Sequence, residues 1–150
     1  MGNLHASHTV EIEAPIADVW DVAADVPASI EWQPALITVD TLETDSEGRS
    51  VLVDTTSDAR IKQTAQRLRF TYDAPPKRMS WVQEKGDIKS LTGSWEFVEL
   101  APNRTKATFA LEADPGRVLA MMLRGPVEAK VKDFLTRGAA EGLKQHVEST

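Results

Sequence analysis

Between Leu36 and Glu112 the chain repeats one pattern six times: a stretch rich in Val, Thr and aromatic residues, then a short break with turn chemistry. The extended stretches are Leu36 to Thr44, Ser50 to Ser57, Ile61 to Asp73, Arg78 to Lys85, Ile88 to Leu100 and Arg104 to Glu112. The breaks fall at Ser46-Glu47-Gly48, Asp58-Ala59, Pro75-Pro76, Gly86-Asp87 and Pro102-Asn103. Parallel strands need a crossover of roughly a dozen residues or more, so connections this short join antiparallel neighbours only. A six-stranded antiparallel meander is the expected centre of the fold.

The flanks read differently. Val10 and Ile12 alternate with Thr9, Glu11 and Glu13, the period-two pattern of a strand with one wet face, and this first strand is free to pair at an edge of the meander. Pro15 suits the first turn of a helix, where its missing N–H costs nothing. Ile16, Val19, Trp20 and Ala23 then recur at helical spacing to about Ala24, with a stop near Pro27. Ala28 to Trp32 makes a second, shorter helical turn closed by Pro34. After the meander, Val118 to Leu123 is an apolar run containing Met121 and Met122, broken by Gly125-Pro126. Val127, Val131, Phe134, Leu135, Gly138 and Leu143 follow at three- and four-residue spacing, which predicts a helix from Pro126 to about Glu148, roughly 33 Å long. There is no internal repeat, linker or low-complexity segment, so one domain over residues 1–150 is expected.

Composition removes several functions. With 41% hydrophobic and 27% charged residues the balance is that of a soluble globular chain. No apolar run approaches the roughly 20 residues that span a bilayer, which argues against integral membrane association. The start, MGNLHASHTV, has neither a charged region nor an apolar run of a secretory signal, so a cytoplasmic location is the expectation. Absence of cysteine excludes disulfides, a thiolate nucleophile and cysteine-held zinc or iron–sulfur clusters. A net charge of −6, with Lys62, Arg67 and Arg69 the nearest thing to a basic cluster, argues against nucleic acid as a partner.

The order of elements gains meaning from particular residues. "IEAPIADVWDVAADVPASIEWQP" resembles the opening of the polyketide cyclase/dehydrase and START-related (SRPBCC) proteins, in which an apolar strand, Ala-Pro, a helical Val-Trp and a Trp-x-Pro follow in this order. "LTGSWEFVEL" followed by "NRTKATFAL" is similar to their sixth and seventh strands, and "PPKRMSWV" to the entry of their fifth. The resemblance covers nearly the whole chain. It implies an α+β helix-grip fold: a seven-stranded curved antiparallel sheet wrapped around the long C-terminal helix, two short helices between strands one and two closing one end, and a cavity between helix and sheet. In such a fold Trp20 would anchor the first short helix to the core, and Trp32 would stand at the cavity's end wall or mouth. The superfamily ranges from lipid carriers to cyclases and partner-binding modules, so the fold does not select among these functions.

Strand alternation assigns faces without help from the family. Thr64, Gln66, Leu68, Phe70 and Tyr72 share a side of the fourth strand, with Arg67 and Arg69 turned outward. Met79, Trp81 and Gln83 share a side of the fifth; Leu91, Gly93, Trp95 and Phe97 of the sixth; Thr105, Ala107, Phe109 and Leu111 of the seventh; Val51, Val53 and Thr55 of the third. Together they make a surface that is mainly apolar and aromatic with a few neutral polar groups, the make-up of a small-molecule pocket. Each ring would suit a solid core equally. Against that stand Thr55, Gln66 and Gln83, which cost about 1 to 3 kcal/mol each if buried without partners. Gly138 and Gly142 also leave the long helix without bulk where it crosses the sheet. The expected ligand-binding set is Trp32, Val53, Thr55, Gln66, Leu68, Phe70, Tyr72, Trp81, Gln83, Trp95, Phe97, Phe109, Met122, Phe134 and Gly138, with the Met-containing run as a mobile lip over the entrance.

Chemistry is sparse. His5, His8 and His146 lie at the two termini with no metal-site spacing, and Glu96 and Glu99 sit on opposite faces of one strand. No catalytic residue, metal site or cofactor is expected; Tyr72, Gln66 and Gln83 are the groups that would orient or polarise a carbonyl if catalysis occurs. The expected function is binding of a hydrophobic or amphipathic small molecule such as a lipid, isoprenoid or polyketide. Two alternatives stand beside it: a polyketide aromatase/cyclase or dehydrase using the same cavity, and a protein-partner module with a reduced one. A continuous aromatic cavity with an open mouth favours the first two, and a filled interior beside an exposed apolar patch favours the third.

Overall fold

The computed structural model describes residues 4–149. The chain runs β1 (Leu4–Ile12), α1 (Ile16–Ala24), a 3-10 helix (Val26–Glu31), β2 (Leu36–Thr44), β3 (Ser50–Asp58), β4 (Gln63–Ala74), β5 (Arg78–Gly86), β6 (Ser90–Ala101), β7 (Arg104–Asp114), α2 (Arg117–Met122) and α3 (Pro126–Glu148). All seven strands form one antiparallel sheet in the order β1-β7-β6-β5-β4-β3-β2. The meander is as the turn chemistry dictated, and β1 closes its far side against β7. The chain has the helix-grip architecture, a curved seven-stranded sheet with a long C-terminal helix. Register shifts in β2, β4 and at the end of β6 mark bulges, which increase local twist and help the sheet bend.

Several boundaries differ from the sequence reading, for local reasons. β1 begins at Leu4, five residues before the Thr9 at which alternation became legible, because Leu4 to Ile12 pair continuously with Ala113 to Thr105. Ala6 and His8, at inward positions, hid that pattern. Pro27 lies inside the 3-10 helix instead of stopping a helix before it; in a first turn the missing N–H is no loss. Ile61 and Ile88 precede β4 and β5-to-β6 pairing and belong to turns. The run at 118–123, expected as a lip, is largely helical as α2.

The core is asymmetric. α1 buries Val19, Trp20 and Ala23, and Trp20 packs edge-on against Tyr72 and Phe97 at 6.2 Å each, the anchoring expected of it. Such ring pairs contribute about 0.5 to 1.5 kcal/mol beyond the area they bury. α3 buries Ala139, Ala140, Leu143 and Val147, and packs on β1 with lesser contact to β7 and α1. Its C-terminal end is tied down by hydrogen bonds from Glu13 N–H to Glu148 Oε2 and from Lys144 Nζ to the Glu11 carbonyl, each 2.8 Å. Among the described residues no comparable packing joins α3 to β3, β4 or β5. The helix therefore leans on one end of the sheet and stands off the other.

Outward faces behave as alternation required. Arg67 pairs bidentately with Asp54 at 2.7 and 3.0 Å, Arg69 with Glu84, and Arg78 with Glu96 directly across β5 and β6. These exposed pairs order the surface and contribute little stability.

Candidate functional site

Where α3 stands off, a cavity of about 210 Å³ remains. That is many times the roughly 10 to 15 Å³ needed to hold one water, so the interior is hollow in a physical sense. Its cost is decisive. At about 24 cal/mol per Å³ an empty space of this size removes about 5 kcal/mol, comparable to the whole stability of many domains. A space of this size is therefore filled, by water or by a ligand.

The wall is built from every layer. β4 gives Thr64, Gln66, Leu68 and Phe70; β5 gives Met79 and Trp81; β6 gives Leu91 and Trp95; β7 gives Phe109, Leu111 and Ala113. β1 adds Leu4 and Ala6, and β2 and β3 add Leu36, Val39, Thr55 and Ser57. Trp32, with Val26, Ser29 and Ala35 around it, forms an end wall as expected. α2, Leu123 and α3 close the remaining side with Leu119, Leu123, Val131, Lys132 and Leu135, and the β3–β4 turn contributes Ala59, Ile61 and Lys62.

The rings form a connected stack. Trp95 lies 4.8 Å from Phe109 and 6.1 Å from Trp32, and Trp81 lies 5.7 Å from Phe109 and 5.3 Å from Phe70, centroid to centroid. Two glycines set these positions. Gly93 faces Trp81 across β5 and β6, and a β-carbon there would overlap the indole, so glycine lets Trp81 lie flat across the sheet. Gly142 of α3 does the same for the Trp32 backbone: a β-carbon would collide with the Trp32 carbonyl oxygen and sit 3.0 Å from its carbon. The close approach of helix and end wall is thus written into one residue.

Of the fifteen residues expected to bind a ligand, Trp32, Thr55, Gln66, Leu68, Phe70, Trp81, Trp95 and Phe109 come together on this wall. The other seven lie elsewhere. Val53 is fully buried in the core, and Phe97 is sandwiched between Trp20 and Trp95. Tyr72 sits beyond Phe70, its hydroxyl donating to the Ser50 carbonyl at 2.6 Å. Gln83 Nε2 donates to the Ile88 carbonyl at 2.9 Å, tying down the β5–β6 turn. Met122 is 44% exposed, because the phase of α2 turns Leu119 and Leu123 inward instead. Phe134 is half-buried under the Arg60 guanidinium, 4.4 Å from its centroid, and Gly138 faces Pro34.

The polar groups also differ from expectation. Thr55 and Gln66 are buried but not orphaned: Gln66 Nε2 donates to Thr64 Oγ1 at 2.6 Å, Ser57 Oγ donates to Gln66 Oε1 at 3.4 Å, and Thr55 Oγ1 donates to the Gln66 carbonyl at 3.5 Å. They satisfy one another, and Gln83, whose Oε1 is buried without a partner, lies off the wall, so the argument for a hollow rests on volume. The unpartnered atom on the wall's residues is Trp32 Nε1, buried with no acceptor.

Tyr72 is the only tyrosine in the chain, which makes its environment measurable. Burial pushes its phenol up to about 12, against the opposing pull of the Arg49 guanidinium 4.7 Å from the ring centroid. Because the folded-state value is raised, the neutral phenol stabilises the fold below about pH 10, and that contribution is lost as pH rises through the folded value. Absorbance at 295 nm should therefore titrate near 12 in native protein and near 10 in denaturant, with the step absent in Tyr72→Phe. A native midpoint near 10 would place the hydroxyl in water.

A sequence model described as polyketide cyclase / dehydrase and lipid transport matches residues 12–137. Among curated protein sequences none matches the chain. Among solved structures, a START superfamily protein from Mycobacterium smegmatis superposes with a TM-score of 0.83 at 19% identity, over 97% of both chains. A protein from Thermus thermophilus gives 0.83 at 16% identity, over 97% of this chain and 98% of that one. The Zhui aromatase/cyclase from Streptomyces sp. R1128 gives 0.77 at 19%, over 97% and 94%. At these identities the structural likeness speaks for the fold alone.

Proposed function

Because the chain belongs to the polyketide cyclase/dehydrase and lipid transport family, we propose that it binds a hydrophobic or amphipathic small molecule, of lipid, isoprenoid or polyketide character, in the cavity between sheet and α3. The observation that carries this reading is the cavity itself, about 210 Å³ walled by Trp32, Trp81, Trp95, Phe70 and Phe109. Apolar burial drives binding there, at about 25 cal/mol per Å² of surface removed from water. Trp32 contributes its indole face to that apolar wall, its Nε1–H being buried out of reach of solvent.

Turnover has weaker support than binding. No carboxylate, imidazole or phenol is among the wall residues, the Tyr72 hydroxyl is committed to Ser50, and the amide of Gln66 is held by its neighbours. An aromatase/cyclase working by cavity shape alone stays the second reading, favoured by the likeness in fold to the Zhui enzyme.

Native mass spectrometry of freshly expressed protein should reveal a co-purified adduct. Quenching of tryptophan fluorescence by fatty acids, sterols and aromatic polyketides should saturate at one ligand per chain. If no compound quenches saturably and no adduct is found, the binding reading fails.

A further inference from the structure

α2 turns its two sides to different surroundings. Leu119 is buried against the cavity, as is Leu123 just beyond the helix, whereas Val118, Met121 and Met122 are 73%, 59% and 44% exposed. Val127, in the first turn of α3, is exposed as well. So many bare apolar side chains within ten residues mark a contact surface, and the Met side chains adapt to an irregular partner.

The charges identify the partner. Many surface cations elsewhere are matched by acids, as in Arg67 with Asp54, Arg69 with Glu84, and Arg104 with Glu11, while Lys77, Lys85 and Lys106 stand singly among acidic neighbours in sequence or without a close carboxylate. Arg117, Arg124 and Lys130 have no carboxylate partner among the described residues, and neither has Lys62 on the cavity wall. Residues 117–132 hold four cations and one acid in a chain whose net charge is −6. Long-range steering would carry most of this acidic molecule away from an anionic surface, yet this one segment is built to meet it.

We propose that α2 and the start of α3 dock peripherally on an anionic lipid surface, Val118, Met121 and Met122 entering the headgroup layer while Arg117, Arg124 and Lys130 meet the lipid phosphates. Apolar side chains flanked by free cations are the chemistry of an interfacial segment, and among the described residues no helix is long and apolar enough to cross the bilayer. Because Leu119 and Leu123 wall the cavity, docking brings this side of it onto the lipid.

Vesicle flotation tests this, using phosphatidylcholine alone and phosphatidylcholine mixed with phosphatidylglycerol. The protein should float with the mixed vesicles at low salt, be released by high salt, and ignore phosphatidylcholine alone. Met121→Asp with Met122→Asp, and separately Arg117→Glu with Arg124→Glu, should each reduce partitioning about tenfold or more. All four residues are solvent-facing, so thermal unfolding should be unchanged and soluble-ligand binding retained. Failure to float with the anionic vesicles overturns the proposal, as does flotation indifferent to both double variants. Sedimentation velocity showing a dimer that both variants dissolve would assign the patch to a second copy of the chain and overturn it equally.

Discussion

Replacing Gly142 with alanine is expected to destabilise the protein by about 1 to 3 kcal/mol, although alanine is the better helix former by about 1 kcal/mol. The reason is steric. An added β-carbon meets the Trp32 carbonyl oxygen and stands 3.0 Å from its carbon, and a backbone group cannot swing aside as a side chain can. Either α3 lifts or the segment after the 3-10 helix retreats, and both loosen the end wall of the cavity. Gly138 is the internal control, one turn earlier on the same helix. There the β-carbon meets the Pro34 ring at 3.2 Å, a contact that a few tenths of an ångström relieve, so Gly138→Ala should be neutral or slightly stabilising. Urea unfolding of the two variants, compared at constant slope, checks the contrast. If Gly142→Ala were as stable as Gly138→Ala, α3 would not be seated on the Trp32 backbone.

Thr55→Phe should lower affinity for a cavity ligand about tenfold or more, near 1.4 kcal/mol, with stability unchanged or raised. Thr55 is buried on β3 and lines the cavity, and its hydroxyl makes only a 3.5 Å contact with the Gln66 carbonyl, so little is lost when it goes. A phenyl group there occupies space that is otherwise empty or filled by ligand. In a close-packed interior the same substitution would force neighbours off their rotamers and cost about 1 to 3 kcal/mol. The sign of the stability change therefore separates a hollow from a packed core. Calorimetric titration and thermal unfolding on one sample supply both numbers; strong destabilisation with binding intact would contradict the cavity as the site.

Much of this was legible in the sequence, and the parts that were not share a cause. Period-two alternation correctly turned Gln66, Leu68 and Phe70 inward and Arg67 and Arg69 outward, since one residue of slip would reverse every side chain. Alternation gives a face but not a position along it. Tyr72 and Phe97 share the inner face with the wall residues, yet lie towards the end of the core where α1 and Trp20 pack, and Val53 is fully buried beside Leu68. On α3 the apolar stripe from Val127 to Leu143 is wider than the cavity. Which members face it depends on where the helix leans, so Val131 and Leu135 stand on the wall while Phe134 and Gly138 do not. Ile61 and Ile88 were read as strand residues and reach the wall from turns, a role that periodicity does not encode. The inward side of α2 follows from helical phase, which the reading of residues 118–123 as a mobile lip did not resolve.

The central claim is that a space enclosed by Trp32, Trp81, Trp95, Phe70 and Phe109 is open, apolar and large enough to be occupied. Diffraction from crystals pressurised with xenon tests it most directly, because the gas collects only in apolar hollows. The account predicts ordered xenon among those five rings, displaced when a bound hydrophobic ligand is present. Xenon absent from the interior, with α3 resting on β3 and β4 and its side chains filling the space over the rings, would contradict it.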